Sequence, residues 1–379
     1  MVTIHRNDDC PGLEEGMRIS VGVDLHKTQF TVAARGAETL HGQYATTKEG
    51  YAAFLEQLGR LRKRGAEVRL AVESTGNARY FKRQMAQEGY PVVVINSLKF
   101  KVINESVKKT DRHDAATIAE FLEKDMLPEA WLCDEQTEAL RRLLKTRSVL
   151  VRARVTIQNQ IHGMLVSIGM EDKKAGLQSK RGRQEMLDAL KSAGYGLEVH
   201  ALMETIDMLS ERVKMLEQEI AKKVRGDRDV QLLRTIPGCG LLTASTIRAY
   251  TDDIRRFVSY KQYAAYAGLV PWVQRSNETV HYGRITKRGP EALRTAFVQL
   301  VLGMVRNRRK TGSYRLMHDY TAMKCSKSTG KAIIATARKL AKIVWSMLME
   351  GKAFDPSSMR DRRIWEKADA MRTSIAQSA

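Results

Sequence analysis

The apolar positions change their period several times along this chain, and each change marks an element. Residues 1–15 are polar and read as a flexible tail. Three short β-branched runs follow, 18–25, 29–34 and roughly 39–45, set apart by turn residues, and each predicts a strand. Helical spacing then predicts a helix over 49–64. Beyond it the pattern alternates: strand 67–73, helix 78–88, strand 91–96, and helices near 97–107 and 114–125. Three leading strands followed by alternation predict a mixed sheet with helices on its faces, an α/β domain over 16–130.

From residue 131 the period becomes helical. Residues 135–170 read as one long helix, and the polar stretch 171–196 as a loop or short helices. Leu202, Ile206, Leu209, Val213, Leu216 and Ile220 recur at alternating steps of four and three, the a/d seam of a short coiled coil. Its partner is either a helix of the same chain or a second copy. Further helices are expected at 258–267, 290–307 and 328–349, with 353–379 frayed. The expected fold class is therefore α/β plus all-α. A helical linker with a coiled coil (131–228) leads into a mainly helical C-terminal domain (229–352).

Charge sharpens this division. The formal net charge is +21, yet residues 1–130 carry 19 Lys and Arg against 18 Asp and Glu; the other 45 and 25 lie in 131–379. An excess concentrated in the helical part predicts binding to a phosphate backbone, strongly weakened by salt. Arg141, Arg142, Arg147, Arg152 and Arg154 on the long helix are the first candidates for such contacts. The turn Ile236-Pro237-Gly238-Cys239-Gly240 before a helix resembles that of a helix-hairpin-helix, in which Gly238 and Gly240 let backbone N–H groups face a phosphate. The four cysteines are far apart and lack metal-ligand spacing, no apolar run reaches membrane-spanning length, and the N-terminus is too polar for a signal peptide. A reduced cytoplasmic protein is expected.

Four acids carry the candidate chemistry. Asp24 lies in Val21-Gly22-Val23-Asp24, Glu73 ends Leu70-Ala71-Val72-Glu73, and Asp111 and Asp114 sit three apart, on one face of a helix start. Acids at the ends of apolar strands cost desolvation energy unless something positive binds there. Oxygen ligands from separate elements suit Mg²⁺, with Mn²⁺ a possible substitute, and such ions activate phosphodiesters. A second centre surrounds Arg275, Arg284, Lys287 and Arg288, which crowd around hydroxyls as a scissile phosphate requires. Ser276, Thr279, Tyr282 and Thr286 each remain candidates for a nucleophile or a simple phosphate contact.

Together these segments resemble the transposases of insertion-sequence family 110, including its 1111 subgroup. The resemblance runs through Val21-Gly22-Val23-Asp24, Glu73-Ser74-Thr75-Gly76, Lys109-Thr110-Asp111-Arg112-His113-Asp114-Ala115, Ile236-Pro237-Gly238, Tyr263–Pro271 and Gly283–Gly289. It implies a RuvC-like, RNase H-type domain whose DEDD acids are Asp24, Glu73, Asp111 and Asp114. It also implies a C-terminal transposase domain with a nucleophilic serine, and Ser276 falls at that position. Asn277 follows it, where many relatives have glycine. The resemblance further implies a 5′-phosphoserine intermediate, a noncoding bridge RNA that pairs with target and donor DNA, and dimers assembling into tetramers with composite active sites. A resolvase-type nuclease using water is the rival enzyme, and a non-catalytic nucleic-acid binder the third reading.

Overall fold

The computed structural model describes residues 17–36, 41–103, 111–170, 177, 179–276 and 279–357. The chain divides into two compact units, residues 1–132 and 133–379. In the first, strands β1 (Arg18–Leu25), β2 (Gln29–Arg35), β3 (His41–Ala45), β4 (Glu67–Glu73) and β5 (Val92–Ile95) form one sheet in the order β3-β2-β1-β4-β5. β1, β2 and β3 pair antiparallel, whereas β1–β4 and β4–β5 are parallel. Helices α1 (Lys48–Lys63), α2 (Ala78–Gln87), α3 (Ser97–Ile103) and α4 (Asp111–Glu123) complete a mixed α/β unit, consistent with an RNase H-like domain. The part of the helix expected over 97–107 that lies beyond Ile103 falls outside the described residues.

The two faces of this sheet are built differently, as strand alternation requires. Val21, Val23, Phe30, Val32, Leu70 and Val72 bury one face among Phe54, Leu58, Phe81 and Met85 of α1 and α2. On the other face the three neighbours Ala33, Gly22 and Ala71 form a row of small residues across β2, β1 and β4. This row lets α4 lie close against the sheet, with Ile118 and Leu122 packing on Ala71 and Ile95.

In the second unit, α5 (Glu135–Ser167) starts at Asp134, whose carboxylate accepts from the Thr137 amide at 2.6 Å. After α6 (Lys180–Ser192), α7 (Gly196–Lys223) returns along α5. Arg147 pairs with Glu217 at 2.7 Å and Arg154 donates to Ser210 at 3.2 Å, so α5 numbers rise as α7 numbers fall, the mark of an antiparallel pair. Ile206, Leu209, Val213 and Ile220 are buried in this pairing, and Leu202 and Leu216 partly so. The seam thus finds its partner within the chain.

The rest of the unit comprises α8 (Arg228–Arg234), α9 (Leu241–Thr251), α10 (Tyr260–Tyr266), a ribbon of β6 (Pro271–Ser276) and β7 (Thr279–Ile285), then α11 (Glu291–Arg306), α12 (Arg308–Thr311), α13 (Arg315–Ser326) and α14 (Thr329–Glu350). Two apolar clusters hold it together. Ile161, Leu165, Leu190, Val199 and Met203 close the far end of the α5–α7 pair with α6. At the near end, Leu140, Leu144, Ile220 and Val224 join Phe297, Leu300 and Val344 in the main helical core. The expected linker and C-terminal domain share that core and form one compact unit. The ribbon, α12 and α13 are additions to the sequence reading, while α6 is a short helix within the stretch 171–196.

Candidate active site

Asp24 is the penultimate residue of β1 and its side chain is only 16% exposed. Its surroundings follow from Gly22. A Cβ on Gly22 would lie 2.0 Å from the Ala115 carbonyl oxygen and 2.4 Å from the Ala119 amide nitrogen, so only glycine admits α4 here. With α4 seated on Gly22, the helix start carrying Asp111 and Asp114 comes to the same sheet edge as the end of β1. Glu73 ends β4, one step past the Val23–Val72 pair, which puts it beside Asp24. Like Asp24, it lies two residues beyond a member of the small row and so alternates to the α4 side.

The turns at this edge are tied together. The His26 amide donates to the Gln29 carbonyl at 2.9 Å, and the Asn77 side chain donates to the His26 carbonyl at 2.8 Å. Thr75 Oγ1 donates to Asn77 Oδ1 at 3.0 Å. The loop after β4 is thereby fixed to the loop after β1. His26 presents Nε2 to the acids, 3.0 Å from Asp24 Oδ2 and 3.4 Å from Asp111 Oδ2. One ligand atom from each of Asp24, His26 and Asp111 lies within 4.8 Å of the others.

Burial pushes the Asp24 carboxyl above its ordinary range; His26 opposes this, while the negative charges of Asp111 and Asp114 add to it. A helix N-terminus by itself favours Asp111 and Asp114, but it does not account for a half-buried acid at a strand end facing them. Crowded carboxylates with a neighbouring imidazole form a donor set that fits a divalent cation. Sequence reasoning missed His26. The signal was present in Asp24-Leu25-His26, since residues two apart on an extended chain share a side. His113 is exposed and lies outside the three-residue group.

Of the second centre, the backbone places Ser276 at the end of β6, opposite Thr279 of β7, with Arg275 opposite Val280. Asn277 and Glu278, which join the strands, lie outside the described residues. The base of the ribbon is closed by the Thr286 amide donating to the Val270 carbonyl at 2.9 Å, and Gly268 and Gly289 admit close backbone neighbours there. Arg284, Lys287 and Arg288 are exposed on the descending strand and the segment after it. The acids belong to the first unit and Ser276 to the second.

The remaining candidates divide by environment. Arg141 donates to the Ala249 carbonyl at 2.8 Å and stacks on Tyr250, Arg147 pairs with Glu217, and Arg154 with Ser210, so these three hold α5 to its neighbours. Arg142 and Arg152 stay exposed. Gly238, at φ +87°, abuts the Gly303 backbone, where a Cβ would come within 2.3 Å; the glycine has a packing reason independent of phosphate. Gly240 caps the start of α9 without a side-chain hydrogen bond.

Two transposase family profiles match the chain, the first of them running across the boundary between the two units. A DEDD transposase profile of the IS110 family matches residues 21–170, and one described as "Transposase IS116/IS110/IS902 family" matches residues 230–315. The chain is 28% identical over 302 residues to a probable family 20 transposase of Pseudomonas aeruginosa, covering 76% of this chain and 86% of that one. It is 28% identical over 342 residues to the transposase for insertion sequence element IS1111A of Coxiella burnetii, covering 88% and 90%. With the transposase for insertion sequence element IS1328 of Yersinia enterocolitica it shares 26% identity over 351 residues, covering 88% and 98%.

Proposed function

The chain belongs to the IS110 family of insertion-sequence transposases, and from that premise we propose that it cuts and rejoins DNA through a covalent bond to Ser276. The observation that carries the proposal is the convergence of Asp24 and Asp111, with Asp114 acting on Asp24, inside the segment matched by the DEDD profile. Asp24, Glu73, Asp111 and Asp114 would hold Mg²⁺ or Mn²⁺, which supplies Lewis-acid polarisation of the scissile phosphate and eases ionisation of the attacking hydroxyl.

The chain's own residues do the rest. Ser276 Oγ attacks phosphorus and gives up its proton, and the bond to the 3′ oxygen breaks. The products are a 5′-phosphoserine and a free 3′-OH. Attack of another strand's 3′-OH on the phosphoserine reverses the step and rejoins the DNA without an external energy source. Arg275, Arg284, Lys287 and Arg288 bind the phosphate oxygens as charge builds on them. Exposed Arg142 and Arg152 contact nucleic-acid backbone, a role that positions but does not read sequence. Guidance by a bridge RNA, and a dimer-to-tetramer assembly in which one subunit supplies the acids and another the serine, belong to the same proposal and rest on the family resemblance. No helix among the described residues is long and apolar enough to cross a membrane.

Denaturing gels with end-labelled element DNA test the proposal. Wild type should give a protein–DNA adduct, which Ser276→Ala removes while mobility-shift binding persists. Free 5′-phosphate ends without any adduct would overturn the serine step and return the acids to a water-using nuclease. An adduct that survives Ser276→Ala and vanishes with Tyr282→Phe would move the nucleophile.

A further inference from the structure

We infer that His26 is a direct ligand of the cation held by Asp24 and Asp111, and that it sets which metal this centre prefers. The inference rests on the metal-dependent reading of the same site and adds a residue outside the four acids. Its first support is spacing. Adjacent donors on one six-coordinate ion, each about 2.1 Å from it, stand about 3 Å apart. His26 Nε2 lies 3.0 Å from Asp24 Oδ2 and 3.4 Å from Asp111 Oδ2, close to that spacing, and ligand atoms of all three residues lie within 4.8 Å of one another. Its second support is rigidity. His26 follows β1 directly, and both its backbone groups are engaged, the amide with Gln29 and the carbonyl with Asn77. The imidazole is therefore held at the acids by the turn that anchors the Glu73 loop, with no rearrangement of the chain required.

The chemical consequence is a mixed nitrogen–oxygen donor set. Carboxylates and water suit both Mg²⁺ and Mn²⁺, but Mn²⁺, a first-row transition ion, accepts an imidazole nitrogen more readily than Mg²⁺ does. The centre should bind Mn²⁺ more tightly, relative to Mg²⁺, than an all-oxygen set would. Replacing outer-shell partners of metal ligands costs about 10–100-fold in affinity, so losing a direct nitrogen ligand should cost at least roughly tenfold for Mn²⁺.

The test uses the full-length protein with Mn²⁺ alone as probe. Electron paramagnetic resonance counts bound Mn²⁺, pulsed spin-echo experiments detect ¹⁴N coupled to it, and calorimetric competition gives Mg²⁺ affinity. Wild type should show ¹⁴N modulation. His26→Asp, which restores an all-oxygen set, should abolish the modulation and lower the Mn²⁺/Mg²⁺ affinity ratio at least tenfold while retaining Mg²⁺ binding. His26→Ala should lose the modulation too, and circular dichroism of both variants confirms folding. If Asp24→Asn abolishes Mn²⁺ binding but the wild-type signal carries no nitrogen modulation, or His26→Asp leaves it unchanged, the His26 inference falls and the metal centre stands. If wild type binds no more Mn²⁺ than Asp24→Asn does, both fall.

Discussion

Gly22→Ala isolates the link between packing and the acid cluster, because one methyl group meets two backbone atoms of α4. The added Cβ would sit 2.0 Å from the Ala115 oxygen and 2.4 Å from the Ala119 nitrogen, where ordinary contact begins near 3.4 Å. The helix must therefore retreat by about 1.4 Å, and overpacking of this kind costs about 1–3 kcal/mol. Replacing glycine in a strand recovers about 0.5–1 kcal/mol of backbone entropy, so the clash wins. A net loss near 1–2 kcal/mol lowers Tm by roughly 4–8 °C in a unit of this size. The functional loss should be larger. Displacing reacting groups by about 1 Å can cost roughly 100-fold, and α4 carries Asp111 and Asp114. Differential scanning calorimetry and single-turnover cleavage of element-end DNA measure the two effects. Because the atoms struck are main-chain, Ala115→Gly and Ala119→Gly should not rescue the variant. Wild-type Tm with wild-type cleavage, or rescue by either glycine, would refute the close-seat explanation of the site.

Three other outcomes follow from contacts in the second unit. Tyr263 is fully buried and its hydroxyl meets Thr251 Oγ1 at 2.6 Å; Tyr263→Phe should cost about 1–3 kcal/mol in denaturant unfolding, and Thr251→Val added to it should restore part of that loss. Leu144→Ala, at the near end of the α5–α7 pair, should cost about 2–5 kcal/mol by the same measurement, because its cavity opens into the main core. Arg142→Ala with Arg152→Ala should lower the slope of log affinity against log salt by about 1–2 in DNA titrations, with little change in Tm. Arg147→Ala should instead register in stability, because its partner is Glu217.

What the sequence disclosed depended on whether a signal was periodic. The strands over 18–25 and 67–73 were legible because β-branched runs end at turn residues, and they agree with β1 and β4. The α5–α7 pairing was half legible: the heptad spacing showed a seam, but the choice between an internal partner and a second copy required the position of α5. The β6–β7 ribbon escaped notice because Trp272 and Val273 are exposed and Arg-rich, turn-like residues interrupt its alternation. Of the site, the acids stood out by chemistry. His26 did not, since a lone imidazole acquires meaning only when a turn folds it onto carboxylates. The role of Gly22 was equally hidden, because absence of a side chain has no pattern until the helix above it is known. The arginines of α5 show the reverse: composition marks them as a basic set, but not that Arg141, Arg147 and Arg154 also meet neighbours within the chain.

With 33 residues at about 1.5 Å each, α5 is a rod of roughly 50 Å. Leu140 and Leu144 root one end in the main core, while Ile161 and Leu165 serve a separate cluster at the other. The far cluster draws only on residues from α5 through α7, so were this lobe to tilt by about 10° at the core, its tip would move through roughly 9 Å.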